Sequence, residues 1–387
     1  MKKIVFIVSA LISFNAFAAN EGWKNCDDDG VANCEYQIKD GVLTVRPQDD
    51  TQPASIPDYQ RDCSFTKYAE CTTPAPWRWD EDTSTVTTLK IESGITSIGQ
   101  DAFEDMGFTN ASLPDSLVSI GSSAFKECDF LSDINLPDSL RQISSGALAG
   151  TALKNVVIPD GSEDNPTIVE AEVFRGRNYG TSNGISEIVQ ELETLVVGEN
   201  VQVAPNALYT TIRVPDFNVF KMYCSEGNTS CIEALEATFY EAQTRGLVDF
   251  SKEASEYLTT YTKDGNGFYQ IDDKLYATAD LMTHGASCDN AQNCQDILDA
   301  ASQGKPFEVG GKYYATLDLF ANGAACTDKK NCEDILSSNG NPFKVGSKVY
   351  NSLADFANGN YVKHRIYTIE EANFVAGPVN RVSIKYR

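Results

Sequence analysis

The chain has 387 residues, 42% of them hydrophobic and 22% charged, which is enough apolar content to build sizeable cores. Its formal net charge is −24. Such a surface repels nucleic acid and anionic lipid at long range, so neither is an expected partner. Eleven cysteines beside only two histidines point to disulfides rather than to a zinc site, if the chain is exported.

Export is read from residues 1–18. Met1-Lys2-Lys3 precedes an apolar run from Ile4 to Phe17, and Ala16-Phe17-Ala18 has a small-x-small cleavage pattern. The run is too short to span a bilayer and reads as a secretory signal peptide. No later apolar run reaches about 18 residues, so no membrane insertion is expected. The destination is the periplasm, the cell surface or the medium.

Residues 19–84 are expected to form an N-terminal β cap. Alternating strands flank Lys39-Asp40-Gly41, a hairpin signal. Trp77 and Trp79 alternate in Pro76-Trp77-Arg78-Trp79. They are read as covering the first coil of the repeat array at 85–215, in preference to a sugar-stacking platform.

That array is visible in three lines. Ile91-Glu92-Ser93-Gly94-Ile95-Thr96-Ser97-Ile98-Gly99-Gln100-Asp101-Ala102-Phe103 aligns with Leu113-Pro114-Asp115-Ser116-Leu117-Val118-Ser119-Ile120-Gly121-Ser122-Ser123-Ala124-Phe125. A third line starts at Leu136-Pro137-Asp138-Ser139-Leu140 and ends at Gly146-Ala147-Leu148. The step is 22 residues, then 23. A unit this short cannot close a core alone, so copies must stack into a solenoid. Inward pairs recur as Leu89/Ile91, Ala111/Leu113, Ile134/Leu136, Val156/Ile158, Leu195/Val197 and Ile212/Val214. Side chains alternate in a strand, so the residues between these pairs face out. That outward row, Lys90, Ser112, Asn135, Val157, Val196 and Arg213, is the candidate ligand-binding face. A parallel row, Thr88, Asn110, Asp133, Asn155, Thr194 and Thr211, is uniformly polar. A glycine-containing insertion is expected at 175–191.

After Asp216 the period changes. Residues 216–262 read as a helical exit, and 263–387 as cysteine-containing ββα repeats ending in a strand at 382–387. Five close pairs are expected to be disulfides: Cys26/Cys34, Cys63/Cys71, Cys224/Cys231, Cys288/Cys294 and Cys326/Cys332. Cys128 is left over at an inward repeat position, as a buried thiol.

The L-P-D-S-L-x-x-I-G-x-x-A-F pattern at 113–125 resembles the BspA-like leucine-rich repeats of bacterial surface proteins. The tail resembles no named family. The expected fold class is therefore α+β, a BspA-like leucine-rich-repeat solenoid with an N-terminal β cap, followed by small disulfide-stapled ββα repeats. The resemblance implies a secreted or surface protein that binds a protein or glycan on a host or neighbouring cell.

No catalytic residue, metal ligand or cofactor is assigned. His284 is read as a helix-end cap, and His364 as a surface charge between Lys363 and Arg365. Asp264-Gly265-Asn266-Gly267 opens like a calcium loop, but Phe268 stands at the next ligand position, so a hairpin turn is preferred. The rival readings are a carbohydrate-active enzyme using paired carboxylates and a purely structural envelope component.

Overall fold

The computed structural model describes residues 22–27, 32–60, 75–176, 191–209 and 214–362. The expected signal peptide, Cys63 and Cys71, most of the 175–191 insertion, Thr211, Arg213, His364 and the terminal strand at 382–387 lie outside the described residues. Two compact units divide the chain, Met1–Thr260 and Tyr261–Arg387. The first therefore runs past Asp216 and includes most of the segment read from sequence as a connector.

The first unit opens with the expected hairpin, Cys34–Lys39 against Val42–Pro47. Asp40 and Gly41, at φ 50° and 78°, make a two-residue turn whose twist matches that of its strands. Val42–Pro47 then pairs parallel with Thr88–Ile91, that strand with Asn110–Ser112, and that with Asp133–Ile134. The cap strand is thus the first rung of the solenoid ladder. A second parallel run is built from Asn155–Ile158, Thr194–Val197 and Lys221–Ser225.

Each coil carries another strand, not anticipated from sequence. Ala54–Ile56, Ile95–Ile98, Ser119–Ile120, Gln142–Ile143, Thr167–Val169 and Val201–Val203 form a six-stranded parallel sheet. Most of these strands are two or three residues long, too short for alternation to be read.

A ladder of backbone bonds closes the coil at the Ala-Phe turn. Phe103 N–H donates to Ala124 O, Phe125 N–H to Ala147 O, and Leu148 N–H to Val173 O, at 2.8 to 3.1 Å. To aim alternate N–H groups at the next coil while bending around the buried ring, the flanking residues take positive φ. These are Asp101 and Asp105, Ser123 and Glu127, and Gly146 and Gly150. Glycine adopts that conformation without the Cβ penalty, which accounts for the third line having Gly where the first has Asp.

The Asp-Ser of the repeat has a structural role. Ser116 Oγ donates to Ile95 O at 2.8 Å and accepts from Gly94 N–H, and Ser139 Oγ donates to Leu117 O. Each hydroxyl ties its corner to the preceding coil. Gly99 is required by proximity, since a Cβ there would lie 2.0 Å from Pro57 O.

Inside, Trp77, Phe103 and Phe125 stack at centroid spacings of 5.2 and 5.4 Å. Burying each ring contributes on the order of 2 kcal/mol. Trp77 sits in a 3-10 helix, Pro76–Trp79, rather than on a strand, so it and Trp79 do not share a strand face. Trp77 is fully buried, edge-on to Tyr36 and Tyr59, and its indole N–H donates to Ala102 O at 2.9 Å. A polar counterpart links two repeats: Lys126 Nζ lies 3.0 Å from the fully buried Glu104 carboxylate.

The far end of this unit is closed by the helix Thr229–Thr244. Asn228 caps it, accepting from Cys231 N–H. Its buried face is Cys231, Ala234, Leu235, Thr238, Phe239 and Ala242, at helical spacing. Cys224–Cys231 bonds the helix start to the last ladder strand. Phe217, Phe239 and Tyr257 pack ring to ring beneath it.

The second unit repeats a hairpin, a short helix, a cysteine loop and a longer helix. The hairpins are Tyr269–Ile271/Lys274–Tyr276, Phe307–Val309/Lys312–Tyr314 and Phe343–Val345/Lys348–Tyr350, all in the same register. The short helices Ala279–Thr283, Leu317–Ala321 and Leu353–Ala357 are capped by Thr278, Thr316 and Ser352. The longer ones, Ala291–Ser302 and Lys329–Leu336, are capped by Asn290 and Asp328.

Candidate binding face

The outward side of the first ladder is set by register. Thr88, Asn110 and Asp133 are Cα partners along one row, and Thr44, Lys90 and Ser112 along the next. Lys90, Asn110, Ser112, Asp133 and Asn135 are exposed, and Thr88 is half-buried. Thr44 joins this row from the cap, and sequence spacing does not reveal it because the cap lies outside the repeat. Neighbouring strands in such a sheet lie roughly 4.8 Å apart, so the two rows form a regular polar grid.

The grid is held by its own hydrogen bonds. Thr88 Oγ1 donates to Asn110 Oδ1 at 3.0 Å, and Lys90 Nζ to Glu92 Oε1 at 2.9 Å. Thr109 Oγ1 and Ser132 Oγ donate to the carbonyls of Thr87 and Thr109 along the adjoining corner. In the second run, Thr194 Oγ1 donates to Asn155 Oδ1, and Lys154 pairs with Glu193 at 2.7 Å. The hydrogen bond that Lys154 donates to Glu193 and the charge of that carboxylate raise the Lys154 pKa above the ordinary lysine value.

The remaining members of the expected row differ. Val157 is 37% exposed, but Val196 is only 1% exposed and is not an accessible contact residue. It is flanked in register by Val157 and the buried Tyr223, so the row turns apolar and closed where its first half is polar and open. The inward pair Ile212/Val214 predicts a sixth strand with Arg213 facing out. The structure gives that place to Lys221–Ser225, whose Met222 and Cys224 pair with Leu195 and Val197. The step from Thr194 to Lys221 is 27 residues, whereas the expected rows place Thr211 and Arg213 only 17 residues after Thr194 and Val196.

Other candidates are structural. His284 is the C-cap of Ala279–Thr283, with Nδ1 2.9 Å from Asp280 O. Asp264 Oδ1 accepts from the N–H groups of Asn266 and Phe268, closing a hairpin turn. Cys128 is buried with Sγ 3.0 Å from Phe103 O, and burial pushes its thiol up to about 12. Disulfides join Cys26–Cys34, Cys224–Cys231, Cys288–Cys294 and Cys326–Cys332. Among the described residues no group of three or more His, Cys, Asp or Glu side chains is placed to hold a metal ion. Among the same residues no helix is long and apolar enough to cross a membrane.

Residues 81–179 match the family model described as BspA type Leucine rich repeat region, six copies. Among solved structures, the chain is similar to a leucine-rich repeat protein from Eubacterium ventriosum, at 18% identity over 51% of this chain and 43% of that one, TM-score 0.34. It is also similar to the pneumococcal vaccine antigen PcpA, at 18% identity over 55% of this chain and 46% of that one, TM-score 0.34. The leucine-rich repeat protein of T. pallidum matches at 16% identity over 56% of this chain and 93% of that one, TM-score 0.23. The chain spans less than half the length of the first two. No curated protein matches the sequence.

Proposed function

We propose, from the premise that residues 81–179 are a BspA-type leucine-rich-repeat region, that this is an exported, non-catalytic interaction protein. Its partner is a protein or glycan on a host or neighbouring cell, held on the open half of the first ladder. The observation that carries the reading is the grid of Thr88, Lys90, Asn110, Ser112, Asp133 and Asn135. Thr88, Asn110 and Asp133 are in register along one row and Lys90 and Ser112 along the next, with Asn135 exposed just past the last strand, and none of them belongs to the buried core. Sites built on such elements hold their geometry better than sites on loops.

The test is comparative binding to an immobilised panel of matrix proteins and cell-wall glycans. Asn110→Arg with Asn135→Trp, both on exposed positions, should weaken the wild-type interaction about tenfold or more while the circular dichroism spectrum stays the same. Equal binding by the folded double variant would remove this face. Hydrolysis of any glycan in the panel would instead favour the enzymatic alternative.

A further inference from the structure

Each tail bridge closes a loop within one repeat but is buried in a cluster shared with the next. The cluster holding Cys288 and Cys294 takes Ala277, Leu281 and Ile297 from the first repeat, and Phe307, Tyr314 and Phe320 from the second. The cluster holding Cys326 and Cys332 takes Ala315, Leu319 and Ile335 from the second repeat, and Phe343, Tyr350 and Phe356 from the third. The third hairpin and its helix contain no cysteine, yet they share a core with one bridge.

Hydrogen bonds repeat this arrangement. Cys288 N–H donates to Leu275 O, and Cys326 N–H to Tyr313 O, both at 2.8 Å. The first cysteine of each pair is therefore tied to the hairpin of its own repeat. An asparagine stands immediately before the second cysteine of each pair. Asn293 Nδ2 donates to Glu308 O at 2.9 Å, and Asn331 Nδ2 to Lys344 O at 2.8 Å. Both acceptors lie on the hairpin of the next repeat. The same asparagines accept from the loop N–H groups of Asp289 and Thr327. Each bridge thus joins a point anchored on one hairpin to a point anchored on the following one.

We propose that each tail disulfide latches the repeat after it, which makes the tail a redox-gated array. The clusters hold ten and eight buried residues, too few to offset the ordering entropy of their repeats without a cross-link. Opening a latch with a dithiol is a balanced exchange. One thiolate of the reductant attacks a bridge sulfur and forms a mixed disulfide. Its second thiol resolves that intermediate, leaving two protein thiols and a cyclic oxidised reductant. Closing the latch returns two electrons and two protons to a disulfide oxidant. The array stays open in a reducing compartment and orders in an oxidising one. The solenoid, with one continuous core, remains folded in both.

Hydrogen exchange resolved by segment, on the full chain, tests this. Cys326→Ser with Cys332→Ser should raise exchange in Phe343–Val345 and Lys348–Tyr350 by roughly thirtyfold, and leave Tyr269–Ile271 and Thr88–Ile91 as in the wild type. Cys288→Ser with Cys294→Ser should do the same to Phe307–Val309 and Lys312–Tyr314. Because a serine variant can fail at the folding stage, folded wild-type protein treated with dithiothreitol forms a second arm, with thiol counting to confirm opening. A rise confined to the opened loop and the helix it leads, with the next hairpin as protected as before, would overturn the latch. Loss of protection in Thr88–Ile91 on reduction would overturn the gating.

Discussion

The two units solve one problem in different ways. In the first, buried apolar side chains form a single cluster from Cys26 to Ala242, so every coil leans on its neighbours. In the second, the buried clusters are small, and each contains a disulfide. A cross-link stabilises chiefly by restricting the unfolded chain, and it matters most where burial is scarce. One element, a close cysteine pair, therefore has unequal weight in the two settings. Cys224–Cys231 fastens a helix that already buries six residues, whereas Cys326–Cys332 belongs to a cluster of eight.

Attacking the large core strains this contrast most. Phe103→Ala removes a ring stacked between Trp77 and Phe125 and should destabilise the first unit by about 4 kcal/mol, read by urea denaturation. Exchange in Phe307–Val309 and Lys312–Tyr314 should not change, and a matching loss there would mean that the units fold as one. Next in size is Cys224→Ser with Cys231→Ser, which should cost about 2 kcal/mol. The solenoid should still unfold cooperatively, so a non-cooperative transition would show that its core depends on the bridge.

Removing a helix cap should cost about 1 kcal/mol in either unit. Asn228→Ala tests the solenoid and Asp328→Ala the tail, and the loss should be a larger share of the tail's stability. Equal fractional changes in local exchange would erase the contrast. The smallest effect concerns the N-terminal cap. Partial burial opposes the charge on Asp80. Hydrogen bonds from Lys24, the Asp82 N–H and the Tyr36 hydroxyl outweigh it and hold the carboxyl below its usual range. A depressed carboxylate stabilises the fold above its unfolded pKa, and that contribution is lost as pH falls through the folded one. Melting of wild type and Asp80→Asn should differ at about pH 6 and converge in strong acid. A constant gap across that range would assign the loss to shape rather than charge.

Much of the solenoid is legible because the repeat writes the same constraint several times. Leu113-Pro114-Asp115-Ser116-Leu117 and Leu136-Pro137-Asp138-Ser139-Leu140 announce a corner, and the structure shows why the serine is there. Alternation alone points Lys90, Ser112 and Asn135 outward, and all three are exposed. Alternation carries no signal where strands are two residues long, which hides the second sheet. Phase is lost after the insertion, so the apolar pair Ile212/Val214 reads as the next rung, a place that Lys221–Ser225 takes.

Sequence pattern was sufficient for the repeat array, its turn residues, its inward ladder as far as Val197 and the repetition of the tail, because short-range patterns encode local geometry that each copy must satisfy. Four other features emerged only from the folded chain: Val196 is closed, the cap strand is a rung, Thr229–Thr244 belongs to the first core, and each tail bridge touches two repeats. Those facts depend on which distant residues share a cluster, and no spacing along the chain records what lies on the other side of a side chain.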